Sequence, residues 1–157
     1  MRVAVLAAVV VAAGCGGRGE PSPSPSSKAL LREWKANVAV VIQQLRSDVD
    51  VTQVAGTTSG SAHAALRNES DVYALLVAYT DLGGCHRMVV AAGTSTPATE
   101  RVDRLLASAC GHAERASTYF TRAVRTGSGE ALLAGAREAR RSLPALVRAA
   151  AALDAVG

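Results

Sequence analysis

The chain has 157 residues and a formal charge of +4 at neutral pH, with 49% hydrophobic residues but only 3% aromatic ones. So small a charge excess excludes the basic footprint of a nucleic-acid protein, and the length allows one domain of ordinary size. A core this poor in aromatics has to be built from Ala, Val and Leu on closely approaching helices, which favours an all-α fold over strands.

Arg2 is followed by Val3 to Ala13, 11 residues without a charge. A transmembrane helix needs about 20 apolar residues and a secretory h-region about 7 to 15, so residues 1–14 are expected to be an export signal and are set aside from the fold. The run ends in Ala12-Ala13-Gly14-Cys15. This resembles the lipobox of bacterial lipoprotein precursors, with Ala12 where that family most often has leucine. The resemblance implies that a diacylglycerol is attached through the Cys15 thiol, that the signal is cut before it, and that the new N-terminus can be acylated. Two or more acyl chains, at about 0.8 kcal/mol per buried CH₂, hold a protein stably where one binds marginally. The expected location is the extracytoplasmic face of the cell membrane, held by a lipid anchor at Cys15. An ordinary signal peptide with a chance cysteine is the alternative.

Residues 15–27 follow as the lipidated cysteine and a Gly/Pro/Ser tether. Gly16 to Ser27 reads GGRGEPSPSPSS, a composition that cannot bury enough apolar surface to fold. Its alternating prolines favour polyproline-II geometry at about 3.1 Å per residue, a reach of up to ~40 Å from the lipid.

Residues 28–157 carry the helical patterns. Leu31, Trp34, Val38, Val41, Ile42, Leu45 and Val49 recur at steps of three and four, one face of an amphipathic helix that Ser26 or Ser27 can cap. It should fade between Asp50 and Gly56, with a loop over Gly56 to Ser61. A second pattern runs through Leu66, Val72, Tyr73, Leu76, Tyr79, Leu82, Val89 and Val90. Asn68 to Asp71 could interrupt it, Ser70 could re-cap it, and Gly83-Gly84 marks a kink or a close backbone approach. Gly93 closes this helix and Thr96-Pro97 opens the third, whose buried stripe is expected at Val102, Leu105, Leu106, Ala109, Ala113, Ala116, Phe120 and Val124. After Gly127-Ser128-Gly129, Ser128 caps a fourth helix with Leu132, Leu133, Ala136, Leu143, Leu146, Val147, Ala150 and Leu153, and Pro144 should kink it. The expected architecture is a small antiparallel bundle of about four helices.

Cys85 and Cys110 are the two cysteines left once Cys15 is lipidated. Outside the cytoplasm a disulfide is the simplest reading, and unpaired thiols are the alternative. Counting from Gly93 and Pro97, the two lie five residues apart in level, about 7 Å, which the connecting loop must absorb. The stretch from Leu82-Gly83-Gly84-Cys85 to Leu105-Leu106-Ala107-Ser108-Ala109-Cys110 loosely resembles helical cystine hairpins of uncharacterised actinomycete envelope lipoproteins.

 The class implies no assigned activity, and the stretch carries no catalytic motif.

His86 and His112 lie close to these cysteines in the chain, but residues two apart on a helix stand about 200° apart, so Cys110 and His112 cannot share an ion. No C-x-x-C, H-E-x-x-H, G-x-S-x-G, P-loop or G-x-G-x-x-G occurs, and Ser59-Gly60-Ser61-Ala62-His63 reads as turn chemistry. No catalytic residue, metal or cofactor is expected. Arg137, Arg140, Arg141 and Arg148 form a basic patch on the last helix that could meet anionic headgroups or wall polymers, the plainer reading being a solvated face. The expected function is a non-enzymatic binding or structural module of the envelope, whose partners are the membrane and another envelope protein or polymer, with no nucleic acid. The alternative is a carrier or sensor that holds a small apolar ligand between helices.

Overall fold

The computed structural model describes residues 26–58, 61–93 and 96–156, with the side chains of 55–58 left aside. The expected signal, Cys15 and the tether up to residue 25 lie outside the described residues. The described residues are helices and the short segments that join them, with no strand among them, and the all-α expectation holds. The elements are α1 (Ser27–Thr58), α2 (Ala62–Ala65), α3 (Glu69–Gly83), α4 (Cys85–Ala91), α5 (Glu100–Thr126) and α6 (Gly129–Asp154).

There are six described helices where about four were expected, because the second pattern is cut twice. Asn68, not Ser70, is the cap: its Oδ1 accepts from the Asp71 N–H at 3.1 Å, and Asn68 is in extended backbone. The restart rotates the apolar phase of α3. Leu75, Ala78, Tyr79 and Leu82 are buried, while Tyr73 and Leu76, expected inside, stand exposed. The second cut falls at Gly84, whose N–H still reaches the carbonyls of Thr80 and Asp81. Gly83 is a point of close approach, since a Cβ there would come 2.6 Å from the Ser117 hydroxyl of α5.

Helix α1 begins at Ser27, inside the segment assigned to the tether, and Ser26 caps it by accepting from the Ala29 N–H at 3.2 Å. Its inward face is the expected one: Trp34, Val38, Ile42, Leu45 and Val49 are buried. It does not fade after Asp50 but continues to Thr58. Thr52 is buried, and the Gln53 amide donates to the Ala136 carbonyl of α6 at 2.9 Å, so packing against α6 carries the helix through a stretch of weak propensity.

Pro97 lies in a turn ahead of α5, not in its first turn, and the helix starts at Glu100. Thr99, buried, accepts from the Thr96 N–H at 2.8 Å and thereby closes this turn. The α5 stripe ends on Ala123, not Val124, which is exposed. Gly127 ends α5 in the left-handed region at φ +65, and Ser128 caps α6 by accepting from the Ala131 N–H at 3.2 Å. Helix α6 runs on through Pro144, and Leu133 and Val147 of its expected stripe face outward.

Helix α1 packs on α3 and α6, and α5 packs on the same two. The most extensive pairing is α5 on α6, and small residues are buried on both helices: Ala109, Ala113 and Ala116 on α5, and Gly135, Ala139 and Ala145 on α6. A Cβ on Gly135 would lie 3.0 Å from the Tyr79 hydroxyl and 3.2 Å from the Ala116 carbonyl. Valine at Gly135 should therefore force the helices apart and cost about 2 kcal/mol. A urea midpoint no lower than that of the parent would contradict this close approach.

Candidate functional site

The outer face of α6 is the first surface to consider, because the sequence places its basic patch there. Arg137, Arg140, Arg141 and Arg148 are all exposed. With 100° per residue they fall with Leu133, Pro144 and Val147 inside an arc of about 120°. Arg141 engages Glu138, and the Arg148 Nε donates to the Pro144 carbonyl of its own helix at 3.2 Å.

Along the seam between α5 and α6 lies a charged cluster that sequence reading missed. Glu138 Oε2 is 2.9 Å from His112 Nδ1 and 3.3 Å from Arg115 Nε, while its other oxygen takes Arg141. The His112 contact, with Arg115 and Arg141 helping and partial burial opposing, holds the Glu138 carboxyl below its usual range. The spacing of Glu138 and Arg141 is visible in the chain as an i,i+3 pair, but the contact with His112 spans 26 residues and has no local signal. A similar cross-helix pair joins His86 Nδ1 to Glu114 Oε1 at 2.6 Å.

Cys85 and Cys110 form a disulfide with their Cα atoms 5.2 Å apart, within the usual span. The expected offset in level is smaller than the count suggested. Helix α5 begins at Glu100, three residues past Pro97, which shortens the run from its start to Cys110, and the segment between α4 and α5 absorbs the rest. Both cysteines are fully buried, and no group of three or more His, Cys, Asp or Glu among the described residues is placed to hold a metal ion.

Asp48 and Tyr79 carry polar groups into the interior. Asp48 is buried, and the Gln44 amide spans its oxygens, at 3.1 and 3.3 Å, and Asp81 Oδ2 at 3.3 Å. Burial first, and then repulsion from Asp81, pushes the Asp48 carboxyl up to about 6 against the pull of the Gln44 hydrogen bond. Tyr79 stacks on Phe120 with ring centroids 4.5 Å apart, and its buried hydroxyl makes no hydrogen bond among the described residues. Nearby Thr52 is already engaged, since its Oγ1 donates to the Val49 carbonyl and accepts from the Gln53 amide. Trp34, Tyr79 and Phe120 are core, as expected; Tyr119 is half-buried, with Arg122 over its ring at 5.8 Å.

Surface grooves of a size to take a small molecule include two that border α1. One, of about 500 Å³, lies beside Leu30, Leu31, Trp34, Ala92 and Thr99, where α1 begins. The other, of about 510 Å³, runs between α1 and α6 past Gln43, Arg46, Asp50 and Asp154 and is more polar. Ser61 is the N-cap of α2 and accepts from the Ala64 N–H, whereas His63, expected in a turn, lies within α2 and is exposed over Gly129; Ser59 and Gly60 lie outside the described residues. No helix of the described residues is long and apolar enough to cross a membrane. No family model, no curated protein and no solved structure matches this chain.

Proposed function

We propose that the chain is a lipid-anchored protein of the extracytoplasmic membrane face, whose helical domain is a non-enzymatic binding or structural module. The observation that carries this reading is the position of Cys15, directly after two small residues at the end of an 11-residue uncharged run. The buried disulfide supports it, because such bonds persist where the surroundings are oxidising. In this reading α1, α3, α5 and α6 are the four rods of an antiparallel bundle, and α2 and α4 are short extensions of it.

Replacing Cys15 by serine should move the protein from the membrane to the soluble fraction and remove the diacylglycerol mass from its N-terminal peptide. A variant that still sediments with membranes and still carries lipid would refute the anchor.

The groove beside Trp34 favours a second reading, a carrier or sensor for a small apolar ligand, since Leu30, Leu31 and Ala92 give it an apolar wall. Native mass spectrometry of the purified protein separates the two: a retained small molecule supports the carrier, and an empty protein supports the docking module.

A further inference from the structure

The charge of the described helices is unevenly placed. From α1 to α4, residues 27–91 hold six basic and six acidic side chains, whereas residues 100–154 of α5 and α6 hold nine arginines against six carboxylates. The excess lies on the α5–α6 half. On α6 it is concentrated, since Arg137, Arg140 and Arg148 share one exposed arc, with Glu130 and Asp154 only at its two ends.

That arc is not purely polar. Leu133 and Val147 lie on it at 47% and 51% exposure, and Pro144 is exposed between them. From Leu133 to Arg148 the face extends about 24 Å, at 1.5 Å per residue. Arginines beside outward Leu and Val suit a surface that is anionic outside and apolar just beneath: guanidinium groups meet phosphates while the apolar side chains enter the boundary with the acyl chains. A soluble or wall-bound phosphate polymer would match the arginines but give the exposed Leu133 and Val147 no partner.

We infer that the outer face of α6 lies flat against a bilayer surface rich in anionic phospholipid. The inference rests on the lipid-anchored reading for its setting, since a tether from Cys15 keeps the domain near the membrane, but its geometry belongs to α6 alone.

The test uses the full chain with Cys15→Ser, so that no acyl anchor enters, and vesicles of phosphatidylcholine with or without 30% phosphatidylglycerol. Any binding through the uncharged run Val3 to Ala13 is common to every variant compared. The parent should bind the anionic vesicles more tightly, with an affinity that falls as salt rises. R137Q/R140Q/R148Q should reduce that binding by on the order of 10- to 100-fold. Arg141 is left in place because it holds Glu138. L133S/V147S should also weaken binding, by several-fold, and R32Q/R67Q/R87Q on α1 to α4 should change it little, with circular dichroism verifying the helices of each variant.

Equal binding to both vesicle types, or an equal loss in the α1 to α4 control, would overturn the inference. Loss through the arginines with no effect of L133S/V147S would also overturn it, in favour of a phosphate polymer. The anchor itself is judged separately by the lipid mass on Cys15, so either idea can fail without the other.

Discussion

Replacing both Cys85 and Cys110 by alanine should lower the unfolding free energy by on the order of 3 kcal/mol and the thermal midpoint by roughly 10 °C. The bond joins residues 25 apart in the chain, and on the chain-entropy account its main effect is to remove freedom from the unfolded state. Both sulfurs are fully buried, so the double variant also loses packing between α4 and α5. Differential scanning calorimetry with and without reductant measures the effect. Two free thiols per chain in the denatured, non-reduced protein, or an unchanged midpoint for the double alanine variant, would remove the disulfide from the account.

A second large effect should come from one buried carboxyl. In the folded protein Asp48 is pushed up to about 6 from an ordinary value of 3.8, so the folded state binds its proton more tightly than the unfolded state does. The sign follows: this residue costs nothing below the unfolded value, and its cost grows as pH rises from about 4 through 6. The full penalty, on the order of 2 to 3 kcal/mol, is reached near pH 7. Glu138 acts in the other direction, because its carboxyl is held low and its contribution is lost only as pH falls through its folded value. Stability should therefore peak in mildly acidic solution. Asp48→Asn keeps the shape and an oxygen to accept from Gln44, and it should be more stable than the parent at pH 7.5 and show little gain on going to pH 5. Denaturant titrations at the two pH values decide it, and a variant with the parent's pH dependence would show that Asp48 is not the group responsible.

What the chain displayed plainly was periodicity sustained by large residues. The face of α1 from Trp34 to Val49 is one unbroken series, and both the Ser128 cap and the stop at Gly127 are local signals with local causes. What it hid depended on neighbours. The end of α1 is carried past Asp50 by the contact of Gln53 with Ala136, 83 residues away. The phase of α3 is hard to read because the exposed Tyr73 and Leu76 match the buried Tyr79 and Leu75 in type, and Ala78 gives a weak apolar signal although it is buried. On α6 Leu133 and Val147 are expected inside by the same weighting but are exposed, while the small Gly135, Ala139 and Ala145 are buried along with Leu132 and Leu146. In a core made of small side chains, size is a poor guide to burial. The arginines of the α6 face were legible as a patch; the seam of His112, Arg115 and Glu138 was not, since its members meet only when α5 and α6 pair.

Trp34 is the only indole in the chain, it is 6% exposed, and its ring lies 3.0 Å from where a Cβ of Gly93 would be. It also borders the groove where α1 begins. Its ultraviolet emission is thus a built-in reporter for one end of the domain, free of overlap from any second tryptophan: a red shift signals that the first turns of α1 have lifted from the Ala92–Gly93 segment, before the far end of the helices has opened.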